Sequence, residues 1–126
     1  MKQPHIIRLH GPWQFSPAST ASETRVKLPG DWGTVCSGNV PCTLTRFFNS
    51  PTGLEANEKV ELVFENVPVE GSVTLNERPI CSLSGQQADA RAEITGQLKL
   101  RNEIKIEVMQ FGSVEAETPE IRLEII

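Results

Sequence analysis

Residues 58–76 read EKVELVFENVPVEGSVTLN, and the alternation in this stretch limits what the chain can fold into. Val60, Leu62 and Phe64 lie two apart, with Glu61, Val63 and Glu65 between and after them. Side chains two apart share one face of an extended strand but diverge on a helix, so the spacing predicts a strand with one apolar face. After a bend carried by Asn66, Pro68 and Gly71, the alternation resumes with Val73 and Leu75 among Ser72, Thr74 and Asn76. Asn76 with Glu77, Arg78 and Pro79 then forms a polar turn. Two adjacent strands thus offer apolar faces to one core.

The same period recurs along the chain. Ile7 and Leu9 precede a break at Gly11 and Pro12, after which come Trp13 and Phe15. Two strand pieces around a kink fit better than a helix, where Pro12 would remove a donor and clash with the preceding turn. Residues 16–24 are rich in Ser, Thr and Ala and read as a surface loop, and Val26 and Leu28 alternate before the turn at Pro29 and Gly30. Residues 33–41, GTVCSGNVP, have no periodicity and form a long loop. TLTRFFN at 43–49 has the β-branched and aromatic content of a strand.

Beyond the turn at Asn76, RPICSL is a short strand at most and SGQQADARA a polar loop. EITGQLKLRN then carries a bend with one helical turn near Thr95 and Gly96. Ile104, Ile106 and Val108 alternate with Lys105 and Glu107, and Ile121, Leu123 and Ile125 with Arg122 and Glu124, predicting two more half-buried strands. About eight strands without sustained helical periodicity imply an all-β protein. The expected architecture is a two-sheet antiparallel jelly-roll β-sandwich, one domain over residues 1–126.

Twelve basic against sixteen acidic residues leave a net charge of −4, without the clustered Lys and Arg that bind phosphate backbones. Nucleic acid is therefore not an expected partner. Nothing approaches the ~20 apolar residues that span a bilayer, and the N-terminus lacks a signal peptide's ~7–15-residue apolar core. The expectation is a cytoplasmic protein with no membrane partner. Cys36, Cys42 and Cys81 match no zinc spacing and read as packed, reduced thiols, a Cys36–Cys42 bridge being the alternative. His5 and His10 have no third ligand at useful spacing. No metal and no cofactor is expected.

No residue is assigned a catalytic role. Glu61, Glu65, Glu107 and Glu124 fall in the outward phase of predicted strands, as on a solvated sheet face, and no nucleophile elbow or phosphate loop occurs. Sugar recognition needs an aromatic platform and planar hydrogen-bonding groups, because a pyranose has apolar C–H faces and a rim of hydroxyls. Trp13, Trp32, Asn39, Arg46 and Asn76 supply those types. Trp32 and Asn39 are candidates by their place in or beside the long loop, Arg46 as the charged floor of a groove, and Asn76 at its turn. Each has a structural alternative. Arg46 can cover apolar surface with its stem while its head stays wet.

The succession LHGPWQF, LPGDW, TRFF followed by Pro51, VELVFENVPVEGSVTLN and EITGQLKLRNEIKIEV resembles the N-terminal sugar-binding domain of family 2 glycoside hydrolases, the β-galactosidase and β-glucuronidase group. The matches run in order from Leu9 to Val108. They imply a galactose-binding-domain-like jelly roll, in which the two Trp positions mainly pack the sandwich and the Asn shapes a turn. Glu77 stands where that family usually has a turn Gly, which implies a different turn type. The family's catalytic carboxylates reside on a separate barrel that nothing in these 126 residues can stand for, so hydrolysis is not carried over.

The resulting expectation is a non-catalytic carbohydrate-binding-like module that takes a sugar through loops at one end of the sandwich, with Trp32, Asn39, Arg46 and Asn76 as binding residues. The alternative is an interaction protein or accessory subunit that keeps the sandwich without sugar binding, its partner another protein or a second copy.

Overall fold

A computed structural model describes residues 5–17, 23–28, 32, 40–84, 88–112 and 119–126. Among them ten strands form two antiparallel sheets. One sheet has four strands in the order β1 (His5–Arg8), β10 (Glu120–Ile125), β5 (Val60–Val67) and β8 (Ala88–Glu93). The other has six, in the order β3 (Thr24–Val26), β2 (Trp13–Pro17), β4 (Cys42–Asn49), β9 (Arg101–Phe111), β6 (Val69–Leu75) and β7 (Arg78–Leu83). The two-sheet antiparallel jelly-roll β-sandwich is the expected architecture, and the alternation of apolar residues builds it.

Register brings the inward residues into line. In the four-stranded sheet Phe64 faces Ile121, Leu62 faces Leu123 and Val60 faces Ile125. In the six-stranded sheet Leu44 faces Ile106, which faces Val73 in turn. These side chains share one core with Trp13, Phe15, Val26 and Trp32, and burying each large apolar group contributes about 1.5–3 kcal/mol. Two polar side chains break the apolar inner face near one end: Arg46 lies between Leu44 and Phe48 on β4, and Asn102 occupies the corresponding phase on β9.

Three expectations change. Most of the expected polar loop over SGQQADARA is strand β8, whose Ala90 and Ala92 pair with Phe64 and Leu62. Small side chains opposite large ones make an edge strand whose apolar signal is weak. Second, Glu124 is not on a solvated face, being only 7% exposed, with Arg122 beside it at 9%. β10 is a central strand, and charged neighbours on β5 and β8 lie across its outer side. Third, Gly71 sits inside β6 rather than in a bend, and a Cβ there would collide with the carbonyl of Glu107. The helical turn near Thr95 is present as a 3-10 turn, Thr95–Gln97.

Candidate functional site

The six-stranded sheet ends in a hydrogen-bonded frame built on Asn102, which has no exposed surface. Its Oδ1 accepts from the backbone N–H of Lys99 (2.8 Å) and from Asn76 Nδ2 (3.1 Å). Its Nδ2 donates to Lys99 O (3.0 Å) and Ser50 Oγ (3.2 Å). Ser50 Oγ also donates to Lys99 O, and Ser50 N donates to Leu100 O (3.1 Å). A buried amide is costly unless its donors and acceptors are met, and here they are. The turn from Gln97 to Arg101 is thereby fixed against the ends of β4 and β9.

Asn76 ties the β6–β7 turn to this frame. Its Nδ2 also donates to Gln97 O (3.2 Å), and its Oδ1 accepts from Glu103 N (2.9 Å). Asn76 has φ +50° and Glu77 φ +71°, the successive left-handed residues of the tight hairpin turn whose twist matches the strands. Glu77 thus holds a left-handed backbone conformation that glycine adopts without cost.

Two clefts flank Asn76. One, of about 320 Å³, is lined by Phe47, Asn76, Glu77, Lys99, Arg101, Asn102 and Glu103. The other, of about 270 Å³, is lined by Leu75, Asn76, Arg78, Gly96, Gln97, Leu98 and Lys99. Phe47 points outward from β4 at 37% exposure, with the Arg101 guanidinium 4.5 Å from its ring centroid. Among the described residues, no carboxylate pairs with Arg78, Lys99 or Arg101, and no cation pairs with Glu77 or Glu103. The first cleft therefore combines an aromatic surface with open donors and acceptors on a rigid frame.

The expected site residues do not converge. Trp32 is fully buried, packed where Leu9, His10, Leu28, Pro119 and Ile121 meet, and offers no face to a ligand. Among the described residues its Nε1 has no partner, whereas Trp13 Nε1 donates to Leu9 O (2.9 Å). Arg46 is half-buried on the inner phase of β4. Its Nη1 donates to Phe47 O (3.0 Å), its Nε is buried without an acceptor among the described residues, and burial holds its pKa below the ordinary arginine value. Asn39 and Cys36 lie outside the described residues. Asn76 alone lines the clefts, and both its amide donors are committed to the frame. Cys42 is buried, and burial pushes the Cys81 thiol up to about 11.

Phe47, Lys99, Arg101 and Glu103 were not expected at a site. Their signal was the outward phase of Phe47, in the strand already read at 43–49, together with the charges around the turn preceding Asn102.

A cleft larger than either of the two beside Asn76, about 520 Å³, lies elsewhere, along β5 and β8 and lined by Val63, Glu65, Asn66, Asp89 and Arg91 among others. Its charged groups already have partners: Arg91 holds Glu61 and Glu124 (2.8 Å), Glu65 holds Arg122, and Asp89 accepts from Asn66 N. No group of three or more potential metal ligands occurs among the described residues.

The fold defines the chain as a two-sheet antiparallel jelly-roll β-sandwich. No family model and no curated protein matches the sequence. Solved glycosidases do match in structure. Against an FMN-binding β-glucuronidase from Facaelibacterium prausnitzii L2-6 the TM-score is 0.78 at 19% identity, covering 100% of this chain and 23% of that one. A Bifidobacterium dentium β-glucuronidase, complexed with coumarin-3-O-glucuronide, gives 0.75 at 15% identity, covering 99% and 30%. A family 2 β-galacturonidase from Eisenbergiella tayi, bound to galacturonate, gives 0.67 at 15% identity, covering 98% and 24%. The chain spans between a fifth and a third of those three enzymes. At these identities the likeness is one of fold, and it is the fold that the sequence resemblance implied.

Proposed function

We propose that this domain is a non-catalytic carbohydrate-binding module, with its site at the end of the sandwich framed by Asn102. The observation that carries this reading is the cleft in which exposed Phe47 stands among Lys99, Arg101, Glu77 and Glu103, none of them ion-paired among the described residues. Sugar hydroxyls both donate and accept, so unpaired cations and carboxylates around one ring match a polyol. The rigid frame limits the ordering cost of binding. Asn76 shapes this site without contributing free donors, and Trp32 takes no part in it.

A catalytic pair is disfavoured. Glycoside hydrolysis needs two carboxyls held across the scissile bond in a shielded cleft, and Glu77 is exposed to water on its turn. Calorimetric titration against a panel of hexoses and hexuronates tests the reading. Millimolar or tighter binding that Phe47→Ala abolishes is the expected result; no heat with any sugar would overturn it.

One observation favours a protein-contact or accessory-subunit role instead. Leu100 is 92% exposed on the turn that the Asn102 frame holds rigid. A fixed apolar side chain in water is a ready anchor for a partner's pocket. Self-association seen by light scattering and lost in Leu100→Ser would support that role. A monomer in both would count against the second-copy form of it.

A further inference from the structure

The two clefts beside Asn76 share more than a neighbourhood. Asn76 and Lys99 line both, and Asn76 Nδ2 donates to the carbonyl of Gln97 (3.2 Å), a residue of the second cleft. On one side lie Phe47, Arg101 and Glu103; on the other lie Arg78, Gly96 and Gln97. The side chain of Lys99 is exposed at this junction, and its backbone N–H and C=O are both held by Asn102. Volumes of about 320 and 270 Å³ are each near the lower bound for small-ligand sites.

We propose that these clefts are two consecutive subsites, so that the ligand class is an oligosaccharide of at least two linked units rather than a free monosaccharide. This rests on the carbohydrate reading above and adds chain length to it. The unit in the first subsite lies against Phe47, the only one of the lining side chains with an aromatic face. The second unit meets the Arg78 guanidinium and the backbone around Gly96. Lys99 stands at the linkage and can donate to oxygens of either unit. Linking two weak contacts makes the second effectively intramolecular, so affinity rises with the second unit and not with a third.

The experiment is a titration of the whole domain with matched one-, two- and three-unit members of β-linked hexose and hexuronate series. The expected result is at least about a tenfold gain from one unit to two, and little from two to three. Arg78→Ala should shrink the gain from one unit to two to less than about threefold; Phe47→Ala should weaken binding of one unit and of two. Equal affinity for one, two and three units would overturn the inference and leave the carbohydrate reading standing, as would a gain that survives Arg78→Ala. No binding in any series would overturn both. Circular dichroism of each variant separates lost binding from lost fold.

Discussion

Glu77 has φ +71°, a conformation that an L side chain adopts at a cost of roughly 1–2 kcal/mol and glycine adopts freely. Glu77→Gly should therefore stabilise the domain by about 0.5–1 kcal/mol, the entropy of an added glycine offsetting part of the relief. A urea midpoint that falls instead would show that the Glu77 side chain makes a favourable contact in the folded state. Asn102 is the opposite case. Its carboxamide meets Lys99, Ser50 and Asn76 with no access to water, so Asn102→Ala should cost about 2–4 kcal/mol by leaving several buried groups unmet. Chemical denaturation measures it. Sequence made Asn76 legible as a turn residue, because Asn tolerates left-handed backbone. It did not reveal that Asn102 sits in the inward phase of its strand, since a polar residue beside a bend reads as part of the loop.

Strand β6 depends on a close backbone approach. Where β6 passes β9 the pairing register shifts between Glu70 and Gly71, and a Cβ on Gly71 would overlap the Glu107 carbonyl. Backbone cannot yield as a side-chain tip can, so Gly71→Ala should destabilise by at least about 1–3 kcal/mol, read as a lowered thermal midpoint. An unchanged midpoint would mean that the two strands separate there without penalty. The strands that sequence made legible are those whose inward positions carry large residues: Val60, Leu62 and Phe64 on β5, or Ile104, Ile106 and Val108 on β9. Strand β8 was not legible, because its inward Ala90 and Ala92 hardly differ from loop composition until Phe64 and Leu62 are placed opposite them. The cleft was obscure for a related reason. Phe47, Glu77 and Arg101 come from three separate segments, and only the pairing of β4, β9 and β6 brings them together.

Across the whole molecule, the outer side of the four-stranded sheet is tied by one connected set of charges. Arg122 on β10 holds Glu65, Glu120 (3.2 Å) and Glu124 (2.7 Å), and Arg91 on β8 joins Glu124 (2.8 Å) to Glu61. Burial opposes the charge on Arg122, but the hydrogen bonds it donates to Glu65 and Glu124 more than offset that and raise its pKa. The hydrogen bond from Arg91 holds Glu124 below the usual carboxylate range against the opposing effect of burial, and Arg122 adds to the lowering. Between the two values the unfolded chain binds the proton that folded Glu124 refuses. The stabilisation is thus complete above the ordinary glutamate pKa of about 4.3 and is lost as pH falls through the lower folded value. Denaturant midpoints should be flat from about pH 7 to 5 and fall on acidification below about pH 4, and Glu124→Gln should blunt that fall. If Glu124→Gln keeps the full acid dependence, the loss belongs to other carboxylates and the network does not join the strands as one unit. Because the set spans β8, β5 and β10, acid should loosen this sheet while the Asn102 frame, built from amides, a hydroxyl and backbone, keeps its hydrogen bonds until global unfolding. Amide exchange near about pH 4 would then show β10 losing protection before Lys99 and Glu103, and the reverse order would refute it.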